Sequence, residues 1–156
     1  MKKRKVAIFD IDGTIFRSSL LIELVDALIM EGVFPSKTRK FYGRAHKDWL
    51  DRKDSYEKYI GAVIRASDRN IKGVSRKDFL RVARKVVAFH KNRVYRYTRD
   101  LIRDLRKKKY YLLALSHSPK YIEEEFAKHL GFDKVYGRLM EIDDSGRFTG
   151  KFLHLD

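Results

Sequence analysis

Val6-Ala7-Ile8-Phe9 is a run of four apolar residues, two of them β-branched, that stops abruptly at Asp10-Ile11-Asp12-Gly13-Thr14. A short apolar run without helical periodicity suits a strand buried on both faces, as in a parallel sheet. We therefore expect a strand over Lys5 to Phe9. Two carboxylates two positions apart, at the carboxyl end of such a strand, turn toward one crevice while Ile11 packs away, and Gly13 permits a sharp exit of the backbone.

The same grammar returns further along. Tyr110 to Leu115 reads as a second buried strand, followed by the polar segment Ser116-His117-Ser118-Pro119, with Pro119 in the first turn of a helix that runs to Gly131. Phe132 to Tyr136 reads as a third strand. Arg138 to Ile142 and Phe148 to Leu153 flank the turn Asp143-Asp144-Ser145-Gly146 as a hairpin.

Between the first two strands the apolar spacing is helical. Leu21, Leu24, Val25 and Leu28 mark one helix, with Ser18 or Ser19 as its N-cap. Phe41, Tyr42, Ala45 and Trp49 mark a second; Tyr56, Tyr59, Ile60, Val63 and Ile64 a third; Phe79, Val82, Ala83, Val86 and Val87 a fourth, begun by Ser75 with Asp78 three residues on. Residues 33–91 are mostly helical on this reading, and Thr98 starts a helix carrying Leu101, Ile102 and Leu105. The sum is an α/β fold: a mainly parallel sheet, a helical insertion and a C-terminal β-hairpin.

Paired carboxylates repel unless a cation lies between them or one is protonated, and both remedies serve phosphoryl transfer. A hard cation such as Mg²⁺ takes oxygen ligands, and one carboxylate can attack phosphorus while the other manages the leaving group's proton. His46, His90, His129 and His154 show no ligand spacing, and the chain has no cysteine, so zinc and thiol chemistry are not expected. Ser116 and His117 are adjacent and do not make a catalytic triad alone.

The 156 residues carry a formal charge of +15, which attracts polyanions, phosphorylated metabolites and anionic surfaces alike. The basic runs Lys2-Lys3-Arg4-Lys5 and Arg106-Lys107-Lys108-Lys109 flank strands and read first as solvated ends. Trp49, Tyr56 and Tyr59 lie among basic residues, yet their spacing explains them as helical core rather than a stacking platform. The stretch Leu20–Met30 is short and holds Glu23 and Asp26, so no membrane span is expected, and a cysteine-free chain is compatible with the cytoplasm.

Taken together, the Asp10-Ile11-Asp12-Gly13-Thr14 string, the Leu112–Pro119 segment and Asp144-Ser145-Gly146-Arg147-Phe148-Thr149-Gly150 resemble the haloacid dehalogenase superfamily, in particular the subfamily IB branch containing phosphoserine phosphatases. The resemblance implies a Rossmann-like core over 1–17 and 92–156 and a helical cap of C1 type over 18–91. It implies that Asp10 is the nucleophile forming an aspartyl-phosphate and that Asp12 is the general acid and then base. Asp10 and the Asp12 backbone carbonyl would hold Mg²⁺. Thr14, the Ser116 hydroxyl and the His117 amide would serve the phosphate.

Two departures narrow this. The family's later lysine and acidic motifs are not found before Asp156, and Lys151 and Asp156 are poor replacements. The resemblance then implies a fragment, half of a split protein, or a chain that associates with itself or a partner along an exposed strand edge. Phosphoserine enzymes carry an acidic residue soon after the first motif to hold the amino group, whereas this chain reads Arg17-Ser18-Ser19. The expected activity is an Mg²⁺-dependent phosphatase acting on a small phosphomonoester. The competing expectation is a non-catalytic relative whose basic surface binds nucleic acid or a protein partner.

Overall fold

The computed structural model describes residues 4–153; His154 and Asp156 lie outside the described residues, as do Lys2 and Lys3 of the first basic run. Four strands, β1 (Val6–Asp10), β2 (Tyr111–Pro119), β3 (Lys134–Ile142) and β4 (Phe148–Leu153), form one sheet in the order β1-β2-β3-β4. The helices are α1 (Leu20–Met30), α2 (Gly43–Leu50), α3 (Tyr56–Asn70), α4 (Arg76–His90), α5 (Arg96–Lys107) and α6 (Lys120–Leu130), with a 3₁₀ segment at Ser36–Phe41. Among the described residues no helix is long and apolar enough to cross a membrane.

The contacts divide the chain into two compact units, one running up to Leu20 and resuming at Ala83–Leu139, the other comprising Leu21–Val82 with Met140–Leu153. In the first, β1 pairs parallel with β2 from Val6↔Tyr111 to Asp10↔Leu115, and β2 pairs parallel with β3. This register sets Asp10 level with the residue before Ser116. A register shift between Leu115 and Pro119 breaks the ladder, so Ser116-His117-Ser118 occupies an irregular strand end rather than the separate loop expected from the sequence. Pro119 accordingly caps α6 instead of entering its first turn.

β1 is not buried on both faces. Val6 and Ile8 are 50% and 60% exposed, and β1 lies at one end of the sheet. Ile11, Ile15, Phe16, Leu112, Ala114, Ile122 and Phe126 supply the buried interior instead. Phe16 and Phe126 meet edge to face at 5.4 Å. The backbone of β3 passes so close to the start of α6 that a Cβ on Gly137 would lie 2.8 Å from Lys120 Cα.

The second unit is the helical block with the β3–β4 hairpin turn. The Ser55 hydroxyl accepts the Lys58 amide at the start of α3, and Ser75 accepts the Asp78 amide at the start of α4 as its spacing predicts. Phe79 packs edge to face on Phe148 at 5.1 Å. Asp143 closes the hairpin turn by accepting the amides of Ser145 and Arg147, and hydrogen bonding to the Ser145 hydroxyl holds its carboxyl below the usual range. Tyr59 is buried and stacks on His46 at 4.7 Å, but Trp49 and Tyr56 remain over one-third exposed, so only part of that aromatic stripe is core. Burial pushes the Tyr59 hydroxyl up to about 12.

Two strands read separately from sequence, Phe132 to Tyr136 and Arg138 to Ile142, are one continuous β3. Gly137, between them, marks the close approach to α6.

Candidate active site

The loop after β1 is tied tightly to itself. The amides of Ile15 and Phe16 both donate to the Ile11 carbonyl at 2.9 Å, and Gly13, at φ +75°, donates to the Phe16 carbonyl. That left-handed φ is why a glycine stands there. The first turn of α5 braces the loop from outside, with the Thr98 hydroxyl 3.1 Å from the Thr14 carbonyl and the Tyr95 amide donating to the Ile15 carbonyl.

Asp10 ends β1 with an exposed side chain, and the Thr14 hydroxyl donates to its Oδ2 at 2.7 Å. Thr14 therefore fixes one carboxylate oxygen of an exposed side chain. Asp12 is held differently. Its Oδ1 accepts the Leu20 amide at 2.8 Å, and its Oδ2 accepts the hydroxyls of Ser118 at 2.5 Å and Ser19 at 3.3 Å. Asp12 thus caps α1, a role the sequence suggested for Ser18 or Ser19, and Ser19 instead supports the carboxylate that does so.

Burial raises the Asp12 carboxyl pKa above its ordinary value, against the lowering effect of the Leu20, Ser118 and Ser19 donors, and the neighbouring Asp10 charge raises it further. An acid shifted upward in this way is better suited to giving up a proton near neutrality than an exposed aspartate.

Ser116, Ser118 and Glu123 complete the arrangement. The Ser116 hydroxyl lies 2.6 Å from Glu123 Oε1 and accepts the Ser118 amide at 3.1 Å. Glu123 is fully buried on α6 beside Ile122, Phe126 and Ala127, and its Oε2 has no hydrogen-bond partner. Burial, and then the charge of Asp12, push its carboxyl well above the ordinary range. His117 lies between the two serines with its side chain exposed.

The structure therefore joins Asp12 to the Ser116 strand end through Ser118 and ties Thr14 to Asp10. Sequence reasoning assigned no role in the site to Ser19, Ser118 or Glu123. For Glu123 a signal was present: a carboxylate on the helical stripe shared by Ile122 and Phe126 has to be paired or neutral. Ser118 gave none, because its role depends on the register shift after Leu115.

A family model for haloacid dehalogenase-like hydrolases matches residues 7–156. A phosphoserine phosphatase of Archaeoglobus fulgidus is 22% identical over 150 residues, covering 96% of this chain and 38% of the relative, so the chain spans well under half of that protein's length. Among solved structures, a Bordetella pertussis protein of unknown function superposes with a TM-score of 0.72 at 15% identity, covering 97% of this chain and 67% of that one. A phosphoserine phosphatase structure containing a phospho-aspartyl intermediate analogue superposes with a TM-score of 0.51 at 19% identity, covering 97% and 63% respectively. These superpositions establish a shared α/β fold, and the match running from within β1 onward makes this chain a member of the haloacid dehalogenase-like hydrolase family.

Proposed function

We propose that this chain carries the nucleophile and proton donor of a phosphatase acting on small phosphomonoesters through an aspartyl-phosphate. The observation that carries the reading is the Ser118–Asp12 hydrogen bond, which draws the strand end bearing Ser116 to the loop bearing Asp10 and Asp12. Asp10, fixed through Oδ2 by Thr14, attacks phosphorus with its other oxygen as the phosphorus–oxygen bond to the leaving group breaks. Asp12, with its raised pKa, gives its proton to that leaving oxygen and then takes one from the water that cleaves the acyl phosphate. The Ser116 hydroxyl and His117 amide support the transferred oxygens.

Mg²⁺ is the expected cofactor, and the donors suit it in kind. The Asp10 carboxylate and the Asp12 backbone carbonyl are hard oxygens, and this cation commonly uses one or two carboxylates with waters and substrate phosphate. Both oxygens of the Asp12 side chain are already engaged, which leaves its carbonyl for that task. Among the described residues no group of three acidic, His or Cys side chains gathers to hold a metal. When bound, the cation would offset charge on the phosphate.

Residues 18–91 are the proposed substrate-selecting cap, within a core of 1–17 and 92–156. The stretch after the first motif reads Arg17-Ser18-Ser19, without the acidic residue that phosphoserine enzymes use for the amino group, so the reading favours a substrate that lacks that group. The test is hydrolysis of a generic aryl phosphate with Mg²⁺ by the wild-type protein and by Asp10→Asn. Loss of turnover in the variant is the expected result; undiminished turnover overturns the mechanism.

One feature favours a second activity. Residues 89–109 hold nine Lys or Arg against two Asp. Lys91, Arg99, Arg103, Arg106 and His129 line a groove of about 500 Å³ with no acidic side chain in its wall. Such a groove suits the phosphates of a nucleic acid. Anisotropy of a labelled oligonucleotide should show salt-sensitive binding that weakens in Arg103→Glu; binding indifferent to salt and to that change removes this reading.

A further inference from the structure

Ser116 has one proton to give, and the position of Glu123 decides where it goes. The hydroxyl oxygen already accepts the Ser118 amide at 3.1 Å and lies 2.6 Å from Glu123 Oε1. If Glu123 were a carboxylate, the hydroxyl would donate to it and turn only lone pairs toward a phosphoryl oxygen, which repel. A neutral carboxylic acid reverses the bond. Glu123 then donates to Ser116, and the serine proton is released to a phosphate oxygen.

The surroundings favour the neutral form on geometry alone. Glu123 is 0% exposed, packs between Ile122 and Phe126 on the buried face of α6, and has an oxygen with no partner. A carboxylate in that position would leave an unsolvated charge near two other acidic residues, whereas a neutral acid leaves only an unpaired carbonyl-type oxygen. No acidic residue was expected here from sequence, and neither Asp10 nor Asp12 can substitute, since Asp12 is engaged by Ser118, Ser19 and Leu20.

We propose that Glu123 is a positioning residue: as a buried neutral acid it donates to the Ser116 hydroxyl and thereby aims the serine proton at the transferred phosphoryl group. The assignment rests on the phosphatase reading for its purpose, but the state of the carboxyl stands independently of that reading. It also accounts for the presence of a buried acidic residue on an otherwise apolar helix face.

The test compares Glu123→Gln, whose amide can donate to Ser116, with Glu123→Leu, which fills similar space without a donor. The first readout is difference infrared spectroscopy of the wild type against Glu123→Gln near neutral pH. The carbonyl stretch of a protonated carboxylic acid is expected; its absence overturns the proposal whatever the protein's activity. The second is the affinity for orthovanadate in the presence of Mg²⁺, with thermal melting to confirm that each variant is folded. Glu123→Leu should bind about ten-fold more weakly, in keeping with loss of one aimed donor, and Glu123→Gln should recover most of that loss. Equal binding by Leu and Gln, strong or weak, means that Glu123 only fills space. A wild type that shows the acid band yet binds no orthovanadate overturns the phosphatase reading, and with it the purpose assigned to Glu123.

Discussion

The Ser118 hydroxyl donates to Asp12 Oδ2 at 2.5 Å, joining residues 106 positions apart and fastening the irregular end of β2 to the loop after β1. A side-chain hydrogen bond of this kind contributes about 0.5–1.5 kcal/mol net. In Ser118→Ala, Asp12 keeps the Leu20 amide and Ser19 but loses a donor that lowers its pKa. The Asp12 limb of the pH–rate profile is expected to move to higher pH, with a modest fall in melting temperature. A profile unchanged from wild type would show that this bond does not tune the acid.

Glu123 gives stability a pH dependence with a definite sign. Its folded pKa lies above its unfolded value near 4.5, so the unfolded state releases the proton first as pH rises. Stability from this residue is complete below that value and is lost progressively as pH climbs toward the folded pKa. Glu123→Gln has no proton to lose. Its melting temperature relative to wild type should therefore increase between pH 4.5 and neutrality, and a constant difference across that range would contradict the assignment.

At Gly137 the constraint is steric. A methyl group would stand 2.8 Å from Lys120 Cα and 3.0 Å from the Ser118 carbonyl oxygen, both backbone neighbours that cannot swing away. Gly137→Ala is expected to cost about 1–3 kcal/mol through overpacking. Urea unfolding reads this directly, and a variant as stable as wild type would mean that β3 and α6 separate easily.

Ile8 tests the exposed face of β1. At 60% exposure it contributes little to the folded monomer, so Ile8→Lys should change stability by no more than about 0.5 kcal/mol. If copies or partners pair along β1, the same change should abolish concentration-dependent association in sedimentation velocity. Association that persists in the variant would place that contact elsewhere.

The sequence announced the alternation of strands and helices because its apolar periods are clean: Val6 to Phe9 and Leu112 to Leu115 for strands, Phe79 to Val87 for a helix. It also singled out Asp10 and Asp12, which lie together in one loop. It was silent on what depends on register. The Ser118 contact requires β1 and β2 to pair at Asp10↔Leu115 and then slip, and no local pattern encodes that. The exposure of Val6 and Ile8, on a strand at one end of the sheet, is likewise something that apolar spacing does not contain.

Asp12 accepts the first amide of α1 while standing as the proposed proton donor, so one carboxyl has both an architectural and a chemical duty. An inactive Asp12→Ala protein would confound the two, since deleting a helix cap typically costs about 1 kcal/mol by itself. Asparagine separates them, because its side-chain oxygen can still accept the Leu20 amide but it has no acidic proton to deliver. Dead but normally stable Asp12→Asn protein would identify chemistry as the duty lost, whereas matched losses of folding and activity would make the residue foremost a structural pin.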